Sequence, residues 1–255
     1  MMWCAAFWMS AWLLAAPLRA ADLFYMDHDL MTGKYAGPVG PLVISGDIEP
    51  GDYDHVLAKI RSDSDRFFSQ NKVIVASNGG DVREAIKIGL LLKSLHSEVT
   101  VGPQTGPCTG ACFLIYAAAD QRASDGEHLV GLHRPRLTDR LSTSLSSADA
   151  AAVEARALTE VRAFLVANEV PENLQDEMFR RPADDVYWLS ENEEKQLGFR
   201  SSSFVRYLKA HCGWDEAIEH EVLTGKRPFA DLAQLLECRT RVTQADARKA
   251  LAALK

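Results

Sequence analysis

This sequence lacks a surplus of positive charge: 28 Lys and Arg stand against 35 Asp and Glu, for a formal net charge of -7. It has no long basic stripe, and phosphate binding depends on clustered Lys and Arg, so nucleic acid is not the expected partner. There is no internal repeat, and only the stretch 136–147, with Ser142, Thr143, Ser144, Ser146 and Ser147, approaches low complexity. No apolar run reaches the roughly 20 residues that a comfortable bilayer span requires. Metal-ligand spacing is missing as well, since Cys108, Cys112, His128 and His133 match no common structural zinc pattern. No metal or other cofactor is expected.

At the amino terminus there is a short, almost uncharged segment. Met1 to Ala16 carries Trp3, Phe7, Trp8, Trp12, Leu13 and Leu14 and is followed by Pro17-Leu18-Arg19-Ala20-Ala21. The segment reads as a secretory signal peptide over residues 1–21, with Ala20 as the small residue before the cut. No Lys or Arg precedes the apolar run, and Leu18 is larger than the residue usual two before Ala20, so an uncleaved anchor or a buried helix stays as the alternative. Export places the mature chain in the periplasm or outside the cell, with no stable membrane span after the leader is removed. Cys4 leaves with the leader. The remaining Cys108, Cys112, Cys212 and Cys238 form an even set that suits an oxidising compartment. Cys108 and Cys112, four apart around a turn, can bridge if the chain curls there, and Cys212 with Cys238 would pin the carboxy-terminal segment. Buried free thiols are the other reading.

The 255 residues, 47% of them hydrophobic, suffice for one substantial core or two small ones. A polar lead-in runs to Gly40, and Pro41-Leu-Val-Ile-Ser45 begins the first strand. One helix is expected from about Tyr53 to Phe68, then a buried strand at Lys72–Ala76 that stops at Ser77-Asn78-Gly79-Gly80. Between Asp81 and Leu95 the apolar residues recur three and four apart while Arg83, Glu84, Lys87 and Lys93 stay polar, which is an amphipathic helix on a sheet. Val99–Val101 and 128–133 read as strands around an apolar helix from Cys112 to Ala119. Strand and helix alternate, so the expected class is α/β, with a parallel sheet and crossover helices. A long helix from Ala148 to Asn168 is marked by Ser146-x-x-Asp149, a shorter one follows Pro171, and Ser190-Glu-Asn-Glu193 reads as a capping box ahead of Gly198. Thr243-Gln-Ala-Asp246 reads as the cap of a last helix to Lys255.

Gly79-Gly80 lies between a strand and a helix, where glycine permits close ligand approach and free helix-start amides point outward. Such a turn can bind an oxyanion. SNGG, a helix, a strand, CTGAC opening a buried helix, and GLHRP two dozen residues on resemble the layout of the Clp protease proteolytic subunit within the crotonase-like group. The resemblance covers roughly Leu42 to Phe199 and extends to ISGDIE and YWLSENEEKQLGF. It is closest to the exported Clp-like proteins of bacteria, in which a Cys-x-Ser-x-Cys turn is typical. The domains implied are a leader at 1–21, a Clp protease-like α/β domain at 22–200 and a helical carboxy-terminal extension at 201–255.

The resemblance implies an oxyanion hole from the amides of Gly80 and Ala111, and a general base at His133. The nucleophilic serine falls on Gly110, which has no side chain. The triad aspartate falls on Val186, one residue after Asp184-Asp185, which leaves Asp185 as the nearest acidic candidate. Without an oxygen or sulfur to attack, covalent acyl transfer is unavailable. The expected function is therefore a non-catalytic peptide-binding or assembly module, a pseudo-peptidase with a peptide or protein ligand. The ring formation of the family implies a homo-oligomer. The alternative is a peptidase or other acyl hydrolase using Thr109 or Cys112 with His133, although Thr109 is expected to point away from the site. Thioester enolate chemistry, as in crotonase-like relatives, would need an acidic base beside the turn, and none is evident.

Overall fold

The computed structural model describes residues 20–27, 40–135, 144–182 and 184–254. Most of the leader and most of the Ser-rich stretch lie outside these residues.

The expected α/β class, with parallel strands joined by crossover helices, is observed. Short β-branched runs supply the centre of the main sheet: β2 (Leu42–Ser45), β3 (Lys72–Ala76) and β4 (Glu98–Val101) pair in parallel, and β6 (Gln121–Ser124) joins β4 in the same sense. An antiparallel edge strand, β1 (Asp22–Tyr25), pairs with β2 from Asp22↔Ser45 to Tyr25↔Leu42, giving the order β1-β2-β3-β4-β6. A second small sheet, β5-β7-β8, joins Cys108–Thr109 (β5) in parallel to Val130–Leu132 (β7), and β7 antiparallel to Tyr187–Trp188 (β8).

Three expectations need correction. The stretch 53–68 forms two helices, α1 (Asp52–Ser62) and α2 (Ser64–Gln70), because Asp63 leaves helical geometry with φ -146°. The polar lead-in contains strand β1, and Gln-Arg-Ala-Ser, where no element was expected, forms β6. Thr243 and Asp246 cap nothing: they lie inside one helix, Phe229–Ala253, where Thr243 Oγ1 donates to Arg239 O at 2.8 Å.

The crossover helices are α3 (Val82–Ser94) and α4 (Ala111–Ala118). α4 is buried at every residue, so it reads as an unbroken apolar run, not a stripe. The two pack closely at Gly89, where a Cβ would lie 3.0 Å from that of Ala118. Next come α5 (Ser147–Ala167), started by Ser146 accepting from Asp149 N, then α6 (Glu172–Arg180), then α7 (Glu191–Leu197) with a complete Ser190–Glu193 capping box. Beyond Ser201 the described chain is built on α8 (Ser202–Cys212), α9 (Glu216–Leu223) and α10 (Phe229–Ala253). Phe204, Leu208, Trp214 and Leu232 make a small core there, while Ala247 and Leu251 of α10 belong to the main core. The sulfurs of Cys108 and Cys112, and those of Cys212 and Cys238, are at disulfide distance, 2.05 and 2.06 Å. Among the described residues no helix is long and apolar enough to cross a membrane.

Candidate functional site

Two turns meet at the carboxy ends of the parallel strands, the usual ligand edge of an open α/β sheet. The first follows β3. Ser77 Oγ accepts from Gly79 N at 3.1 Å, and Gly79 and Gly80 take φ of 107° and 134°, which a Cβ would disfavour. Asp81 then caps α3 by accepting from Arg83 N and Glu84 N. Ile48, leaving β2, holds the turn from the other side: its N–H donates to Gly79 O at 2.8 Å, and its carbonyl accepts from Asp81 N at 2.7 Å. These bonds flank Gly80 and leave its own N–H facing away from Ile48. No side chain fits there, since a Cβ on Gly80 would come within 2.8 Å of Ile48 N.

The second turn, around Gly110, is stitched to the first. Ser77 N donates to Pro107 O, and Thr109 N to Ser77 O, both at 2.9 Å. Gly110 has φ 58° and ψ -121°, and Ala111 opens α4 directly after it. A Cβ on Gly79 would be 2.9 Å from Ala111 N, so the glycine turn and the first amide of α4 are in contact. Among the described residues neither Gly80 N nor Ala111 N donates a hydrogen bond. A carbonyl or carboxylate oxygen can accept from such amides, with the positive end of α4 behind Ala111.

His133 follows β7 and turns its ring onto Gly110. A Cβ built there would lie 2.6 Å from Cε1 and closer still to Nε2. The imidazole therefore takes the volume that a side chain at position 110 would occupy. Its Nδ1 is 3.1 Å from Arg134 O, and a carbonyl only accepts, so Nδ1 is the nitrogen that donates there and Nε2 is the one turned to Gly110. The β7–β8 pairing ends at Leu132↔Tyr187, and Val186 is the residue just before Tyr187. Val186 is apolar and offers the imidazole no carboxylate. Val186 instead faces Gly131, its Cγ1 2.5 Å from a Cβ built there.

The structure brings together Gly80, Gly110, Ala111 and His133, and it does not bring Asp185 to them. Asp185 is an exposed residue paired with Arg181 at 2.9 Å. Thr109 is 4% exposed and sets its methyl against Gly131. Cys112 is fully buried and paired with Cys108, so it presents no thiol. The Arg134 carbonyl, Ser77 and Ile48 were not legible as site residues, because each acts through its backbone or through a turn that composition does not reveal. Beside the site, a cavity of about 590 Å³ is lined by Arg134, Leu158, Thr159, Arg162, Ala163 and Phe179, with the Arg162 guanidinium 4.4 Å over the Phe179 ring.

No family model matches the chain, and no curated protein does. Among solved structures it is similar to ClpP1 from Listeria monocytogenes: 17% identity over 63% of this chain and 88% of that chain, TM-score 0.43. A point mutant of that protein matches at 21% identity with the same coverage and score. A candidate enoyl-CoA hydratase/isomerase from Acinetobacter baumannii matches at 11% identity, over 91% of this chain and 97% of that one, with TM-score 0.31. Likenesses of this degree decide neither activity nor partner.

Proposed function

We propose that this is an exported, non-catalytic Clp protease-like module that holds a peptide carbonyl or carboxylate on the amides of Gly80 and Ala111. The observation that carries the reading is His133 lying in the side-chain space of Gly110. Acyl transfer needs an attacking oxygen or sulfur within about 3–3.5 Å of the carbonyl, and the turn offers two donors but no attacking atom. The neighbouring cavity, with apolar walls and two guanidinium groups, suits the side chains of a bound peptide. Paired cysteines support an oxidising location, and assembly with further copies is part of the same reading.

The test is on the wild-type protein. A serine-directed fluorophosphonate is expected not to label it, and peptides and esters are expected to be hydrolysed no faster than by His133→Ala. Peptides from a library should bind, and Gly80→Ala, which drives a methyl into Ile48, should weaken that binding about tenfold or more. Turnover that disappears in both His133→Ala and Thr109→Val would overturn the reading in favour of a relocated nucleophile.

A further inference from the structure

Ala21 is buried at 8% exposure. Its backbone nitrogen stands 3.2 Å from Asp52 Oδ1 and 3.3 Å from Asp52 Oδ2. Asp52 opens α1, is 1% exposed, and also accepts from Glu49 N at 2.8 Å. A peptide nitrogen carries one hydrogen, which two oxygens at nearly equal distance must share. An α-ammonium carries three and serves both. The carboxylate is also poor in positive neighbours. Among the described residues the basic side chain in ion-pair range is His55, whose Nδ1 is 3.7 Å away and which is 62% exposed. A buried carboxylate is costly without a charged partner, and a well-placed cation offsets much of that cost.

We propose that the chain is cut between Ala20 and Ala21, and that the α-ammonium released on Ala21 forms a buried ion pair with Asp52. Water adds across the Ala20–Ala21 amide. Its oxygen bonds to the Ala20 carbonyl carbon, the C–N bond breaks, and the nitrogen takes up protons to become an ammonium as the new Ala20 carboxyl gives one up. The agent is a leader-removing peptidase that accepts small residues beside the cut. The cut precedes folding, since Ala21 is buried once β1 has paired with β2. It also lies one residue before the end of the 1–21 leader, because a cut after Ala21 would remove the nitrogen that Asp52 holds. The pair reaches the candidate site through two short steps. Asp52 fixes Glu49, and the adjacent Ile48 holds Gly79 O and Asp81 N at 2.8 and 2.7 Å. The inference rests on the export part of the proposed function and not on its peptide-binding part.

The experiment begins with the intact mass and amino-terminal sequence of the exported protein. A start at Ala21 is expected, and a start at Met1, Asp22 or any other residue overturns the cut. The ion pair is tested on protein beginning at Ala21. Its α-amine should react with an acylating reagent about tenfold more slowly when folded than in urea, and equal rates overturn the pair. In protein acetylated at Ala21, which restores an amide there, Asp52→Asn should lower the unfolding midpoint less than it does in protein with the free amine. Equal shifts overturn the pair. If Asp52→Asn fails to fold, the reactivity of the wild-type amine decides alone.

Discussion

At Gly110 two obstacles to a side chain coincide, and they can be separated. The backbone angles, φ 58° and ψ -121°, strain any residue with a Cβ, and the His133 ring fills the space into which that Cβ would project. Gly110→Ser is expected to destabilise the protein by about 2–4 kcal/mol, combining backbone strain and overpacking. In a His133→Ala background the steric part vanishes and about 1–3 kcal/mol of strain remains. Urea unfolding of the wild type, both single variants and the double variant measures the difference as a coupling energy. Equal penalties in the two backgrounds would show that the ring is no obstacle. Placing a nucleophile at position 110 therefore takes more than one substitution, because the imidazole has to move and Val186 offers it no carboxylate.

Elements were legible where a period or a cap was local. Lys72–Ala76, the stripe of α3, the Ser146 cap and the Ser190–Glu193 box each specify their element within a few residues, and all four were readable. β6 was not, because Gln-Arg-Ala-Ser is polar and its burial is made tolerable by distant partners. Arg122, 3% exposed, donates to Ala117 O, Leu197 O and Gly198 O at 2.6, 2.9 and 2.9 Å, which lie at the ends of α4 and α7. Of the candidate site, the two turns and His133 were legible as a resemblance. The ring filling Gly110 was not, since it depends on the register of β7.

Glu84 supplies an acid-sensitive tie at the element scale. Burial works to raise its pKa, but the hydrogen bond and charge of Lys87 and the Tyr53 N–H outweigh it and bring the carboxyl below its ordinary 4.5. A depressed carboxyl stabilises the fold above its unfolded pKa, and that stabilisation is lost as pH falls through the folded value. Urea midpoints should therefore drop between neutral pH and pH values below 4.5, and Glu84→Gln should make that drop shallower. An unchanged slope in the variant would remove Glu84 from the acid response.

At the scale of the whole molecule, the carboxy-terminal helices are less separate than a division at residue 201 suggests. Their own core is small, and α10 returns to the main body, where Gln244 Nε2 donates to Phe68 O at 2.9 Å and Arg248 pairs with Asp65 at 3.1 Å. Removing residues 244–254 would uncover Phe68 and take Ala247 and Leu251 out of the core. A loss of about 3–6 kcal/mol is expected from two lost core contacts and the uncovered aromatic surface. Urea denaturation of the truncated chain checks it, and a loss below about 1 kcal/mol would make the tail dispensable.

That return of α10 has a consequence for the order of folding. Phe68 and Gln244 are 176 positions apart, and the core between them closes only when both are present. A chain that emerges amino end first keeps an open apolar face until residues 244–253 of α10 arrive, so closure of the core is a late, long-range event. Until α10 docks, the partly folded chain stays open to proteases around Phe68.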